Sequence, residues 1–161
     1  MEGSVNRAMD ETAKQRRIED YRRLCRERGL RCTVQRRVIF ETVLDLDIHP
    51  SADDVFDVVS RRIEDISRTT VYRTLESLAR MGVITKACHP GRVARYDRRT
   101  EIHHHLICLR CDSITDIADA RLDALRLPDT SDVGFQIEDF RVQLRGICHD
   151  CRVREKKEEL E

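Results

Sequence analysis

The sequence predicts an α+β fold, in which an N-terminal winged helix-turn-helix is followed by a small α/β domain. Apolar residues recur every three or four positions in the first half, as in helices, and then alternate near residue 140, as in a strand. Four cysteines form two Cys-x2-Cys pairs with 36 residues between them: Cys108 with Cys111, and Cys148 with Cys151. Four thiolates in two such pairs match a structural Zn²⁺ site that would tie the first strands of the second half to its last.

Composition limits the classes of protein that this chain can form. Its 161 residues suit one ordinary domain or two small ones, with only four Phe, three Tyr and no Trp to build a core. No apolar run approaches the ~18 residues of a membrane-spanning helix, and the N-terminus is too polar for a signal peptide. We therefore expect a cytoplasmic protein with no membrane partner, whose seven cysteines bind metal more than they form disulfides.

The charge of the chain is zero overall but unevenly distributed. Residues 1 to 101 carry 21 Lys and Arg against 17 Asp and Glu, whereas residues 102 to 161 carry nine against 13. The basic N-terminal half suggests an anionic partner, although a solvated surface explains the same excess.

The chain begins with a predicted flexible arm and a first helix. Residues 1 to 16 are polar and lack apolar periodicity, which favours an arm. Ile18, Tyr21 and Cys25 then recur at helical spacing, and Gly29 stands where a helix C-terminal cap belongs. We assign Cys25 to the core of this helix.

Capping residues mark the starts of the next two helices. Thr33 precedes an apolar stripe from Val34 to Leu46, and Ser51 with Asp54 has the spacing of a capping box. The apolar face that we expect the third helix to bury consists of Val55, Phe56, Val58, Val59 and Ile63.

A fourth helix is predicted from Arg68 to Met81, between a Ser67 cap and Gly82. Its apolar stripe leaves a polar, partly basic face that would enter the major groove as a recognition helix. The candidate DNA contacts on this face are Arg68, Thr69, Tyr72 and Arg73. A plain helical bundle with solvated arginines would show the same pattern.

A β-hairpin is predicted after this helix and forms the wing. Residues 83 to 86 and 93 to 96 have strand character, and residues 89 to 92 (His-Pro-Gly-Arg) have turn character. Together with the preceding helices this hairpin completes a winged helix-turn-helix.

The C-terminal half contains shorter elements. Strands are predicted from residues 102 to 107 and 113 to 117, with a short helix near Leu122 that ends before Pro128. Alternation from residue 140 to 145 predicts a half-buried strand, and the chain ends in a charged tail.

A second set of candidate metal ligands surrounds the first of these strands. His103 and His105 point to one face of a strand and His104 to the other, so the three histidines are not equivalent. Asp97 and Asp116 come within reach if the neighbouring strands pair. Imidazole and carboxylate ligands of this kind favour Mn(II), Fe(II) or Zn(II), although the cluster could also be only a polar surface.

The order and spacing of four motifs resemble the ferric uptake regulator (Fur) family over residues 18 to 151. The motifs are His49-Pro-Ser-Ala-Asp-Asp, Ser67-Arg-Thr-Thr-Val-Tyr-Arg-Thr-Leu, His103-His-His-Leu-Ile-Cys-Leu-Arg-Cys and Cys148-x-x-Cys151. The resemblance implies a homodimeric repressor that binds a double-stranded operator with two-fold symmetry. It also implies a winged-helix domain (residues 17–91), a hinge (92–101) and a dimerisation domain (102–161).

The resemblance further implies a regulatory Fe(II) or Mn(II) site beside the structural Zn(II) site. In the peroxide-sensing branch, which this chain resembles most, the matching ligands are His49, Asp97, His103, His105 and Asp116. That branch has Asp at position 116, where iron sensors usually have Glu. Peroxide would then add oxygen to the imidazole of His49 or His103, eject the metal and release the DNA.

Other readings of the same residues stay open at this point. Within the family, the chain could instead be an iron, manganese or zinc uptake regulator. A metal-dependent hydrolase is a distant alternative, because three His and two Asp could hold a catalytic ion. The third metal site of many iron-sensing relatives is not expected, since its positions hold Ile102, His104 and Phe140.

Overall fold

The computed structural model describes residues 9–46, 49–87 and 93–158, which divide into two compact units between Thr100 and Glu101. The N-terminal unit contains α1 (Glu11–Glu27), α2 (Val34–Asp45), α3 (Ala52–Val59), α4 (Arg68–Arg80), β1 (Thr85–Ala87) and β2 (Arg95–Asp97). The C-terminal unit contains β3 (His104–Cys108), β4 (Ile114–Ile117), α5 (Ala120–Asp123), a 3-10 turn (Ser131–Val133), β5 (Gln143–Gly146) and α6 (His149–Glu158). The predicted α+β class is confirmed. No helix within the described ranges is long and apolar enough to cross a bilayer.

The first helix begins earlier than predicted. α1 starts at Glu11, so the arm predicted over residues 1 to 16 is wrong for residues 11 to 16. A long-range ion pair between Lys14 and Asp45, which apolar periodicity cannot reveal, lies in this early part of the helix. Further along α1, Arg17 donates to the carbonyl oxygen of Val83 at 2.6 Å. Residues 1 to 8 lie outside the described part of the chain.

The core of the N-terminal unit is built from the apolar stripes of its four helices. The rings of Tyr21 and Phe40 pack with their centroids 5.1 Å apart. The apolar face predicted for α4 is fully buried, as Val71, Leu75 and Leu78 are at most 1% exposed. The packing of this face leaves the opposite side of α4 facing solvent.

The apolar residues of α2 and α3 are less completely buried than the sequence predicted. Val34 is 64% exposed, because it lies in the first turn of α2 and projects beyond the core. On α3 only Val55 and Val59 are buried, and Phe56 is partly exposed. The capping box between Ser51 and Asp54 is present as predicted.

A two-stranded antiparallel hairpin follows α4. Its register pairs Lys86 with Tyr96 and Thr85 with Asp97. Each strand begins about two residues later than predicted. The predicted turn at residues 89–92 lies outside the described residues, as does Cys88.

The C-terminal unit is a three-stranded sheet in the order β4-β3-β5. β3 pairs with β4 antiparallel, which places His105 opposite Asp116, and β3 pairs with β5 in parallel. The half-buried strand predicted over residues 140 to 145 forms only from Gln143 to Gly146. Phe140 and Val142, which precede it, are partly buried as predicted, but Leu144 on β5 keeps 42% of its surface exposed. The alternation marks an apolar sheet face that is left open in a single chain.

Candidate metal centres and nucleic-acid interface

Four cysteines meet at one end of the C-terminal sheet. Cys108 ends β3, Cys111 lies in the turn that follows, and Cys148 and Cys151 lie at the start of α6. Their sulfur atoms all lie within 4.8 Å of one another, and the Sγ atoms of Cys111 and Cys148 are 3.8 Å apart. Sulfurs at about 2.3 Å from a tetrahedral Zn²⁺ are about 3.8 Å apart, so the cluster has the dimensions of a four-cysteine zinc site.

The surroundings of these sulfurs favour thiolates at some positions and thiols at others. The backbone N–H of Cys148 donates to the Sγ of Cys108 at 3.3 Å and, with other backbone donors, lowers the pKa of Cys108 to about 6. The Ser113 hydroxyl lowers the pKa of Cys111. Burial raises the pKa of Cys151 to about 12. A metal ion that binds all four sulfurs must therefore displace the proton of Cys151, and zinc binding releases protons in this way.

Two histidines and an aspartate form a second cluster on the C-terminal sheet. Because β3 and β4 pair, Asp116 lies between His103 and His105, with its Oδ1 at 3.5 Å and 3.6 Å from their Nε2 atoms. The two imidazole centroids are 4.6 Å apart, and all three side chains are at least nine-tenths buried. Imidazole nitrogen and carboxylate oxygen are suitable ligands for Fe(II), Mn(II) or Zn(II).

The N-terminal unit holds a matching pair. The Nε2 atom of His49 lies 3.4 Å from Oδ2 of Asp97, and both residues are buried. The other carboxylate oxygen of Asp97 accepts the backbone N–H of Arg99 at 2.8 Å, which fixes the orientation of the carboxylate. The structure thus places the five predicted regulatory ligands as one pair and one triad, each within its own unit.

The middle histidine of the triplet has a different environment. The Nδ1 atom of His104 accepts the backbone N–H of Val142 at 3.0 Å, and its Nε2 lies 3.1 Å from Asp123. The ring also lies 5.8 Å from the ring of Phe140. Both ring nitrogens of His104 therefore have hydrogen-bond partners within the sheet unit.

The four candidate DNA contacts on α4 are not equivalent, although Arg68, Thr69, Tyr72 and Arg73 are all exposed. Arg68 pairs with Asp53 and stacks over the ring of Phe56, with its guanidinium carbon 4.3 Å from the centroid. Tyr72 is 51% exposed, and Arg73 lies beside it on the same face. Arg68 is thus oriented by the protein itself, whereas Tyr72 and Arg73 present their side chains to solvent.

Sequence patterns did not reveal how Glu76 is used. This carboxylate of α4 accepts hydrogen bonds from Lys86 and from the Tyr96 hydroxyl, each at 2.7 Å. Its partners are 10 and 20 residues away along the chain, so helical periodicity marked Glu76 only as a polar position. The cross-strand pairing of Lys86 with Tyr96 was the one signal that could have shown it.

Comparison with known proteins identifies the family. The model of the ferric uptake regulator family matches residues 27–145. The chain belongs to the ferric uptake regulator family. It is 33% identical over 144 residues to the ferric uptake regulation protein of Bacillus subtilis, covering 86% of this chain and 97% of that protein. It is 28% identical to the peroxide-responsive repressor PerR of Staphylococcus epidermidis, covering 79% of this chain and 85% of that protein.

Solved structures of the family share this fold. The ferric uptake regulator of Helicobacter pylori matches with a TM-score of 0.72 at 20% identity, covering 91% of this chain and 96% of that one. Members of the Fur family are DNA-binding transcription regulators that act as dimers, and they are not enzymes. The predicted class of metal-dependent regulator is confirmed, and the hydrolase alternative is excluded.

Proposed function

We propose that this protein is a peroxide-sensing repressor whose DNA binding depends on one Fe(II) or Mn(II) ion. The ion would be held jointly by the pair His49 and Asp97 and by the triad His103, His105 and Asp116. One observation carries this proposal: a buried His/Asp pair in the DNA-binding unit and a buried His/Asp triad in the sheet unit use the same ligand chemistry.

A shared ion explains how metal would control DNA binding. Two of the ligands belong to the unit with the recognition helix, and three belong to the sheet unit. An ion bound by all five would restrict the angle between the units and, in a dimer, the spacing of the two recognition helices. An operator with two-fold symmetry would select that spacing, and metal and DNA would raise each other's affinity by the same factor.

Aspartate at position 116 and the resemblance to PerR favour peroxide sensing over simple metal sensing. When bound, Fe(II) supplies the redox chemistry that activates hydrogen peroxide. The imidazole of His49 or His103 would gain one oxygen atom from hydrogen peroxide, and the second peroxide oxygen would leave as water. An oxidised imidazole is a poorer ligand, so the joint site would open and the DNA would be released.

The zinc proposal is separate from the regulatory one. We assign the four-cysteine cluster to a structural Zn(II) ion because its sulfur spacing fits a closed tetrahedral site. Such a site has no open position and would not take part in sensing.

The test compares Fe(II)-loaded and Mn(II)-loaded protein before and after treatment with hydrogen peroxide. A DNA duplex selected from a random pool by the Mn(II) form serves as the operator. We expect only the Fe(II) form to lose DNA binding and to gain one oxygen on a peptide containing His49 or His103. Oxidation at His104 alone, or DNA binding that survives peroxide, would contradict the proposal.

Asp116→Glu is the matched variant for this test. It keeps a carboxylate at the site, so metal-dependent DNA binding should remain. If Asp116 favours the peroxide reaction, the Fe(II) form of the variant should oxidise more slowly than the wild-type protein.

A metal-uptake regulator is the second candidate. The higher identity to the ferric uptake regulation protein of Bacillus subtilis, over nearly the whole of that protein, favours it. Its signature would be DNA binding that follows the concentration of free metal and is unaffected by peroxide in both metal forms.

A further inference from the structure

We infer that Tyr96 is a positioning residue that couples the His49 and Asp97 pair to the recognition helix α4. The inference rests on the proposed function, because it requires that metal at this pair changes DNA binding. Tyr96 precedes Asp97 on β2 and is fully buried. Its backbone N–H donates to the carbonyl oxygen of Pro50 at 2.8 Å, next to His49.

The side chain of Tyr96 connects this strand to α4. Its hydroxyl donates to Oε1 of Glu76 at 2.7 Å, and the same oxygen accepts a hydrogen bond from Lys86 at 2.7 Å. These bonds lower the pKa of Glu76, with Lys86 as the larger cause, so the carboxylate is charged at neutral pH. Charge-assisted hydrogen bonds of this kind are stronger than neutral ones.

The residue before Tyr96 attaches the strand to the segment that carries His49. Arg95 donates to Oδ2 of Asp54 at 2.9 Å and to the carbonyl oxygen of His49 at 3.4 Å. Asp54 in turn accepts the backbone N–H of Ser51 at 2.8 Å in the capping box of α3. Arg95, the residue before Tyr96, therefore bonds β2 to the segment that contains His49. Asp97, the residue after Tyr96, belongs to β2 itself.

This arrangement gives a continuous path from the metal ligands to the DNA-binding face. A change in the separation of His49 and Asp97 must move β2 against the start of α3. Because the Tyr96 ring is enclosed, its hydroxyl moves with the strand and displaces Glu76. Glu76 lies on the side of α4 that faces the hairpin, and its movement therefore changes the pose of Tyr72 and Arg73 toward DNA.

The test is Tyr96→Phe, which removes the hydroxyl and keeps the ring. The coupling is the ratio of the DNA dissociation constants measured without and with saturating Mn(II), in zinc-loaded protein. We expect this ratio to fall at least ~5-fold, since couplings between sites typically span ~5- to 150-fold. The Mn(II) affinity of the DNA-free protein should change less than about twofold, because no ligand is altered.

Matched controls separate coupling from general damage to the fold. Tyr21→Phe removes a hydroxyl from another buried tyrosine of the same unit, whose ring packs on Phe40, and should leave the ratio unchanged. Glu76→Gln keeps the shape of the side chain but loses its charge, and should lower the ratio as Tyr96→Phe does. This second variant keeps the test decisive if Tyr96→Phe does not fold.

Three outcomes would overturn the inference. A wild-type ratio in folded Tyr96→Phe and Glu76→Gln would show that the hydrogen bond carries no coupling. A ratio that falls as much in Tyr21→Phe as in Tyr96→Phe would show that loss of any buried tyrosine hydroxyl has this effect, and would assign Tyr96 a purely structural role. A ratio of one in the wild-type protein would reject the proposed function itself, which distinguishes that failure from the other two.

Discussion

Three consecutive histidines on β3 have different roles because successive side chains of a strand point to opposite faces. His103 and His105 share Asp116, whereas His104 bonds to Val142 and Asp123. The neutral His104 ring accepts a backbone N–H at Nδ1, so its own proton is on Nε2, where it is donated to the Asp123 carboxylate. This ring therefore joins β3 to the residue before β5 and to α5 within the sheet unit.

The contribution of one residue to DNA binding can be measured at Arg73, on the exposed face of α4. Arg73→Ala should weaken binding to the selected duplex by about 1 to 3 kcal/mol at fixed salt, because it removes a cation from the exposed face of α4. Fluorescence anisotropy at several salt concentrations measures this loss. Arg61→Ala, at an exposed arginine outside α4, is the control and should change affinity little. Unchanged affinity in Arg73→Ala would remove this residue from the interface.

The hydrogen bonds of Glu76 predict how the free energy of unfolding depends on pH. Hydrogen bonds from Lys86 and Tyr96 lower its pKa in the folded state below the ordinary value of 4.5. The stabilisation by these bonds is therefore complete above that pH and is lost as pH falls through the lowered folded pKa. Glu76→Gln should cost ~1 kcal/mol at pH 7, and the difference from wild type should shrink below about pH 4.5.

Urea unfolding of both proteins from pH 7 down to about pH 3.5 measures this difference. Glu41→Gln removes a partly buried ion pair with Arg37 on α2 and serves as the control. A Glu76→Gln penalty that stays constant as the pH falls would mean that the carboxylate charge is not what stabilises the contact.

At the scale of elements, the four-cysteine cluster joins β3 to α6, with 36 residues between its two Cys-x2-Cys pairs. Cys148→Ser should abolish zinc binding and, with it, the cooperative unfolding of the sheet unit. Apparent zinc-binding energies of about 10 to 16 kcal/mol exceed the whole stability of many domains, so the unit should not fold without the ion. Metal analysis and circular dichroism measure both effects. Cys32→Ser is the control: Cys32 lies outside the cluster, so this variant should retain zinc. A zinc-free Cys148→Ser protein that still melts cooperatively would contradict the assignment of the cluster to a structural zinc ion.

The elements that could be predicted from sequence are those whose signals are local. Periodicity located the buried face of α4, and the capping box located the start of α3, because both signals lie within a few residues. The first turn of α1 and the contacts of Glu76 were missed, since both involve polar contacts with residues far away in the sequence. Only the burial of Leu144 was misjudged in the alternating segment, because alternation shows that one face of a strand is apolar but does not show what covers it.

The candidate sites divide in the same way. Cys-x2-Cys spacing alone predicted the thiolate cluster, and strand parity alone separated His104 from its neighbours. His49 could not be found from local pattern, because a single loop histidine before a proline has no spacing that marks it as a ligand. Only the resemblance to the Fur family assigned it, and the structure places it beside Asp97.

At the scale of the whole molecule, the proposed regulatory ion would link DNA binding to chemical sensing. Its proposed ligands are divided between two compact units, so neither unit alone would provide the full set. The Fur family supplies the wider setting of a dimeric regulator on DNA. A change in the angle between the units would then move both recognition helices of the dimer at once.

The most direct test of this account is the metal dependence of DNA affinity in wild-type protein and in His49→Ala, both zinc-loaded. Mn(II) should raise wild-type affinity for the selected duplex by at least ~10-fold, within the usual range of coupling between sites. His49→Ala should bind the duplex equally with and without Mn(II), because the ion would no longer connect the two units. A full response to Mn(II) in folded His49→Ala would contradict the central claim that one ion shared by both units controls DNA binding.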